Sequence, residues 1–279
     1  MFKSLNMLQL LLVIAVIGNV PIVLSKDDDC GAEEVEPVQM VDELIEAAAF
    51  GDLEFVKAVL KNGTKINGKS EIDGQRALIE ASKYGQLPMV RFLLHHGAQP
   101  NLQNYFGDTA LSVLFRKYDE DDVEFNRNAY NIAKILLWEG ADISIKANDD
   151  WSALLLAARN GQSDVVRLMI FNSQIRIKID TTDGQHWTPL IWMSYHGHTD
   201  TVRLLLRYGA KVNRERTKNG DTALTWASAR CHYDTVEFLL RNKANVNAIT
   251  IFKQSSLYFA VANGCDRKLV DLLLKYGAV

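Results

Sequence analysis

The stretch Asp221–Ala227 reads DTALTWA, and the phrase returns along the chain: DTALSVL from Asp108, WSALLLA from Trp151 and WTPLIWM from Trp187. Its leucine recurs as Leu44, Leu78, Leu111, Leu154, Leu190, Leu224 and Leu257, at spacings of 34, 33, 43, 36, 34 and 33 residues. A period near 33 marks one supersecondary unit repeated many times. Each unit shares a grammar. Thr109, Ser152, Thr188, Thr222 and Ser255 precede Ala/Leu-rich segments, placed so that each hydroxyl accepts from the free N–H groups of a first helical turn. Pro189 follows one of these caps, where a missing N–H costs nothing. Gly51, Gly85, Gly161, Gly197 and Gly264 end these helices. A second helix follows, with apolar residues three and four apart, as in Val90 to Leu94 and Val202 to Leu206. Gly97, Gly140, Gly209 and Gly277 close it and lead into extended residues such as Lys211-Val212-Asn213.

Helices this short are marginal in isolation, because nucleation is costly. Stacking lets neighbouring units bury their apolar faces in a shared core. The pattern therefore predicts an all-α solenoid of about seven helix-turn-helix units with β-hairpin connections.

The T-A/P-L-x-x-A phrase, the Gly197-His198 pair, the V-x-x-L-L helix and the Gly209-Ala-x-x-Asn213 closure resemble the ankyrin repeat, over residues 42–279. Several positions depart from that pattern. The usual His of the T-P-L-H phrase is replaced in every copy, for example by Leu155 and Ile191. Cys231 stands where the inter-helix Gly belongs, and Lys243 where the closing Gly-Ala begins. Repeat 3 carries an insertion near 116–129, including Asp119 to Glu124, which reads as a solvated acidic segment. Ile175 to Ile179 alternates, as in an extended hairpin arm. Asp42, Glu43 and Glu46 give the first repeat a polar outer face, whereas Leu272, Leu273 and Leu274 leave the last less finished.

Residues 1–25 have a positive start at Lys3, an apolar run from Leu10 to Ile17 and small residues near Ser25. That is the three-part pattern of a secretory signal peptide. It implies a secreted or secretory-pathway protein; the alternative is a single-pass membrane protein that keeps residues 8–24 as an uncleaved anchor. An acidic, flexible tail is expected over 26–41. In an exported chain Asn62-Gly63-Thr64 becomes a glycosylation acceptor, and Cys30 becomes a candidate for a disulfide to another chain. Cys231 and Cys265 fall in adjacent repeats. With repeats about 10 Å apart and a disulfide wanting Cα atoms within about 7 Å, buried reduced thiols are expected there, and a bond between the two in an oxidising compartment is the alternative.

Composition narrows the function classes. With 279 residues, 48% hydrophobic and 23% charged, the chain is neither wholly disordered, nor collagen, nor a polytopic membrane protein. A net charge of −3 lacks the basic excess of a nucleic-acid binder, and so favours a protein partner. No phosphate loop, His-Glu-x-x-His or Cys-x-x-Cys appears. The acidic run from Asp119 fails as a calcium loop, because Val123 and Glu124 occupy its fifth and sixth positions. His95-His96 and the His196/His198 pair read as structural. The expectation is a non-catalytic scaffold without cofactor or metal; an enzyme using the groove is the alternative.

The resemblance implies a partner-binding surface on the hairpin tips and the exposed, concave ends of the first helices. Transferred by position, it nominates Tyr105 and Phe106, Trp151 and Trp187, Arg159 and Asn160, Tyr195 and His196, Arg230 and Phe252. Aromatic and Arg side chains dominate interface energies. Trp151 and Trp187 carry two readings, surface anchors or a flat widening of the core. Trp192 and Trp226 are expected to pack in the core.

Overall fold

The computed structural model describes residues 37–116, 121–172, 178–215 and 219–279, with side chains from Met40 onward. Fourteen α-helices and no sheet occur among the described residues. They fall into two compact units that meet at the Glu139–Gly140 boundary.

The N-terminal unit holds α1 (Pro37–Phe50), α2 (Leu53–Lys61), α3 (Ala77–Lys83), α4 (Leu87–His95), α5 (Ala110–Arg116) and α6 (Val123–Trp138). The C-terminal unit holds α7 (Ala153–Arg159), α8 (Ser163–Asn172), α9 (Pro189–Tyr195), α10 (Thr199–Arg207), α11 (Ala223–Ala229), α12 (Tyr233–Arg241), α13 (Ser256–Ala262) and α14 (Arg267–Lys275). Within each unit the first helices pack on one another (α1 on α3 on α5; α7 on α9 on α11 on α13), and each pairs with its own second helix. The leucine of the repeated phrase is the common core residue: Leu44, Leu78, Leu111, Leu154, Leu190 and Leu224 are all buried.

The caps form as the hydroxyl pattern predicts. Thr109, Ser152, Thr188, Thr222 and Ser255 accept from the N–H three residues on, at 3.2–3.4 Å. The residues ending the first helices adopt φ of 67–79° at Gly51, Gly85, Gly161, Gly197 and Gly264. At Gly197 the need is twofold, since an added Cβ would also stand 2.6 Å from the His232 ring.

Four expectations need correction. The connections are not strand-bearing hairpins: the described residues hold only the isolated bridges Lys146–Ser152 and Ile249–Ser255. The tips are too short for a ladder. The tips described in full each close with two backbone bonds, such as Ala147 N–H to Trp151 O at 2.8 Å and Asp150 N–H to Ala147 O at 3.0 Å. Second, the tail expected over 26–41 is helical from Pro37, where α1 begins; its acidic residues lie outside the described residues. Third, much of the repeat 3 insertion is helical. α6 has 16 residues where α4 has nine, starts on an Asp122 cap and seats Phe125 against Gly85. Fourth, Cys231 and Cys265 are bonded, with Cα atoms 5.2 Å apart, and Cys231 is exposed rather than buried. The figure of about 10 Å separates packed helix axes. The inter-helix turns point along the stack and approach far more closely. The signal segment, Cys30 and the Ile175–Ile177 part of the alternating run lie outside the described residues.

Candidate functional site

The C-terminal unit gathers its aromatic side chains on the first-helix face. In α9 and α11, each seven residues long, the fourth position lies beside the residue preceding the cap of the same or the preceding repeat. Trp192 and Trp226 occupy the fourth position, and Trp151 and Trp187 precede caps. Trp187 stacks on Trp192 with centroids 4.0 Å apart and meets Trp226 at 4.8 Å. Tyr195 packs edge-on to Trp226 at 5.5 Å, and Trp151 reaches Trp192 at 6.5 Å. Offset and edge-on pairs of this kind each add about 0.5–1.5 kcal/mol beyond area burial.

Guanidinium groups end the array on two sides. Arg159 lies over the Trp151 ring at 5.0 Å, and Arg230 over the Tyr195 ring at 4.6 Å. Both arginines are exposed, and Trp151, Trp192, Trp226, Tyr195 and His196 are half-buried. Trp187 is only 6% exposed, so the surface-anchor reading of that residue is wrong. It is the filling between two other indoles. The reverse holds for Trp192 and Trp226, expected in the core. Leu190, Ile191 and Met193 already fill the space beneath α9, which leaves the fourth position on the outer face. Their indole N–H groups are enclosed without an acceptor, a cost of about 1–3 kcal/mol each.

The turns beneath this face are tied repeat to repeat. His196 donates Nε2–H to the Arg159 carbonyl at 2.8 Å, and His232 donates to the Tyr195 carbonyl at 2.9 Å. Gln86 to Ala49 and Asn263 to Ala229 repeat the same bond elsewhere. A carbonyl only accepts, so each bonded imidazole carries its proton on Nε2. Burial is the main reason His198 and His232 titrate below the ordinary imidazole range; the neighbouring His196 and Arg230 respectively act in the same direction. Arg159 and Tyr195 are thus held through their backbones as well as their rings. Asn160, the C-cap of α7, is half-buried beside them.

Three nominated residues lie elsewhere. Tyr105 packs on the Gly74 turn of the preceding hairpin and donates its N–H to the Asp73 carbonyl at 3.1 Å, while Phe106 projects into solvent. Phe252 is exposed together with Ile249 and Ile251 on the tip of repeat 7. Asn62 is exposed at the end of α2, so its amide is accessible to a glycosyltransferase. Among the described residues no three His, Cys, Asp or Glu converge as metal ligands, and no helix is long and apolar enough to cross a membrane.

Sequence reasoning missed two inter-repeat devices. One is a series of asparagines at the base of the tips. Asn213 donates to the Lys243 carbonyl and accepts from the Asn245 N–H, and Asn67 and Asn247 do the same with residues 97/99 and 277/279. The other joins hydroxyls of successive second helices, half-buried Ser163 to buried Thr201 and half-buried Thr199 to buried Thr235. Their recurrence at the period of the leucines was the available signal.

Comparison with known proteins agrees with this geometry. The family model "Ankyrin repeats (3 copies)" matches residues 44–125, 123–216, 157–250 and 213–279. The ankyrin repeat domain of human ASB11 superposes with a TM-score of 0.61 at 24% identity, covering 85% of this chain and 98% of that one. That of Bcl-3 gives 0.62 at 24% identity, covering 83% and 97%. Among curated proteins, alpha-latrocrustotoxin-Lt1a of Latrodectus tredecimguttatus is 33% identical over 92 residues, which are 33% of this chain and 6% of the toxin. Ankyrin repeat and SAM domain-containing protein 6 of Rattus norvegicus is 37% identical over 81 residues, 29% of this chain and 9% of that protein. The matched segments are thus under a tenth of these relatives' length. Capped helix pairs at a period near 33, positive-φ turns and a family model spanning nearly all the described residues converge: the chain belongs to the ankyrin-repeat family.

Proposed function

We propose that this ankyrin-repeat protein is an exported, non-catalytic scaffold that binds a partner protein on the first-helix face of its C-terminal unit. Ankyrin repeats generally bind proteins and are usually non-catalytic. The observation that carries the reading is the aromatic array: Trp151, Trp192, Trp226 and Tyr195, half-buried and flanked by two exposed arginines. Rings already locked against one another present large area with few rotors left to freeze, the make-up of interface anchors. Export is supported by the leader-like residues 1–25 and by the Cys231–Cys265 disulfide, since disulfides persist in oxidising compartments.

The test is a comparison of partners captured from extracellular fluid by the 26–279 chain and by its Trp151→Ala/Trp226→Ala variant. Affinity for a captured protein is expected to fall by more than about 2 kcal/mol, the scale of interface anchors. Unchanged affinity in a variant with intact helical circular dichroism overturns the site.

A further inference from the structure

The charge on this face is one-sided. Helices α7, α9, α11 and α13 contain no Asp or Glu, and the residues that follow them are Asn160, His196, Arg230 and Asn263. Beside the array, Asp149 is exposed and accepts the Trp151 N–H at 3.4 Å, and Asp221 is buried before the cap of α11; most other acids of the unit lie elsewhere or are engaged. Asp164, Asp200, Asp234, Glu237 and Asp271 belong to the second helices, and Asp150 pairs with Lys146 at 3.1 Å. Asp183 is buried and accepts from the Gln185 and Trp187 N–H groups. Among the described residues neither Arg159 nor Arg230 forms an ion pair with a carboxylate. Their charge is held by ring faces and by the C-terminal ends of α7 and α11, where a helix dipole favours a cation. A guanidinium held by a ring face rather than by an anion keeps N–H donors available for the bidentate fork that fits a carboxylate.

Resting on the reading of this face as the binding surface, we infer that its partner is an acidic, extended protein segment. Arg159 and Arg230 each receive one carboxylate, and Trp151, Trp192 and Tyr195 cover the apolar residues between. The spacing follows from the contacts. Successive separations of 5.0, 6.5, 6.1 and 4.6 Å run from Arg159 through Trp151, Trp192 and Tyr195 to Arg230. The two guanidiniums are therefore at most about 22 Å apart, a distance spanned by roughly six residues of extended chain. The chain's own net charge of −3 disfavours a nucleic acid as the source of the anionic groups.

A displayed library of random twelve-residue peptides, selected on the full chain, tests this. Selections run in parallel on Arg159→Gln/Arg230→Gln and on Trp151→Ala/Trp226→Ala, each checked for native circular dichroism. Selected peptides are expected to carry Asp or Glu about six residues apart around an apolar or aromatic centre. The arginine variant is expected to bind them at least tenfold more weakly, and 500 mM NaCl to weaken wild-type binding in the same direction. Peptides that depend on the tryptophans but lack an acidic bias overturn the inference and spare the binding surface. Peptides indifferent to both variants, or no enrichment at all, overturn the surface as well. Tighter, arginine-dependent binding of a labelled twelve-residue oligothymidylate identifies a nucleic-acid surface instead and overturns the acidic-peptide inference.

Discussion

Five non-glycine residues occupy the left-handed region among the described residues, and two of them mark places where the repeat pattern asks for glycine. Cys231 has φ of 59° and Lys243 of 65°. The departure was legible in the sequence; its backbone consequence is that the turn is kept and the side chain bears the strain. A left-handed non-glycine residue costs about 1–2 kcal/mol, and glycine returns part of that as unfolded-chain entropy, about 0.4–1 kcal/mol. Lys243 is exposed and its carbonyl keeps the bond from Asn213. Lys243→Gly is therefore expected to stabilise the protein by roughly 0.5–1 kcal/mol, read as a higher urea midpoint. An unchanged or lower midpoint shows that the turn is not strained. The tryptophans teach the opposite lesson. Position in the repeat placed all four correctly along the chain, but which faced solvent depended on neighbours that no single repeat contains. Trp187 is buried because Trp192 and Trp226 close over it from two repeats.

At the scale of the helix pair, caps, turns and core leucines followed from local chemistry, and these were readable because each repeat states them again. What joins one pair to the next was not readable, because it depends on how closely the turns approach. The Cys231–Cys265 bond is the covalent case, tying the inter-helix turns of repeats 6 and 7 across a 34-residue separation. Closing a loop of that size in the unfolded chain is worth about 3–4 kcal/mol in the chain-entropy model. The Cys231→Ser/Cys265→Ser variant is expected to lose stability of that order. In a repeat array the loss concentrates where neighbours are fewest, so amide exchange should accelerate in α13 and α14 before α9. Uniform exchange protection across the unit in that variant contradicts a local clamp. Arg230 is adjacent to Cys231, so the same clamp fixes the turn from which it reaches Tyr195.

For the whole molecule, the export proposed above draws on three features with separate physical origins. The first 25 residues carry charge, apolar run and small residues in signal-peptide order. An exposed sequon stands at Asn62, and two cysteines of adjacent repeats are bonded rather than free. Each alone is weak: sequons recur by chance, apolar N-termini also anchor, and a bond between neighbouring turns requires only proximity. Together they fit the proposed export, since signal cleavage, N-glycosylation and disulfide formation belong to the same secretory route. The mature protein from its native source is thus expected to begin near Lys26 rather than at Met1. Its mass should match one disulfide between Cys231 and Cys265, with a glycan on Asn62 removable by an N-glycosidase if its source glycosylates. Edman sequencing and intact-mass measurement separate the outcomes. A chain starting at Met1 and partitioning with membranes identifies the anchored alternative. A chain starting at Met1 in the soluble fraction with both thiols free places the scaffold in a reducing compartment and ends the export reading, while the aromatic face and its arginines stand unaltered.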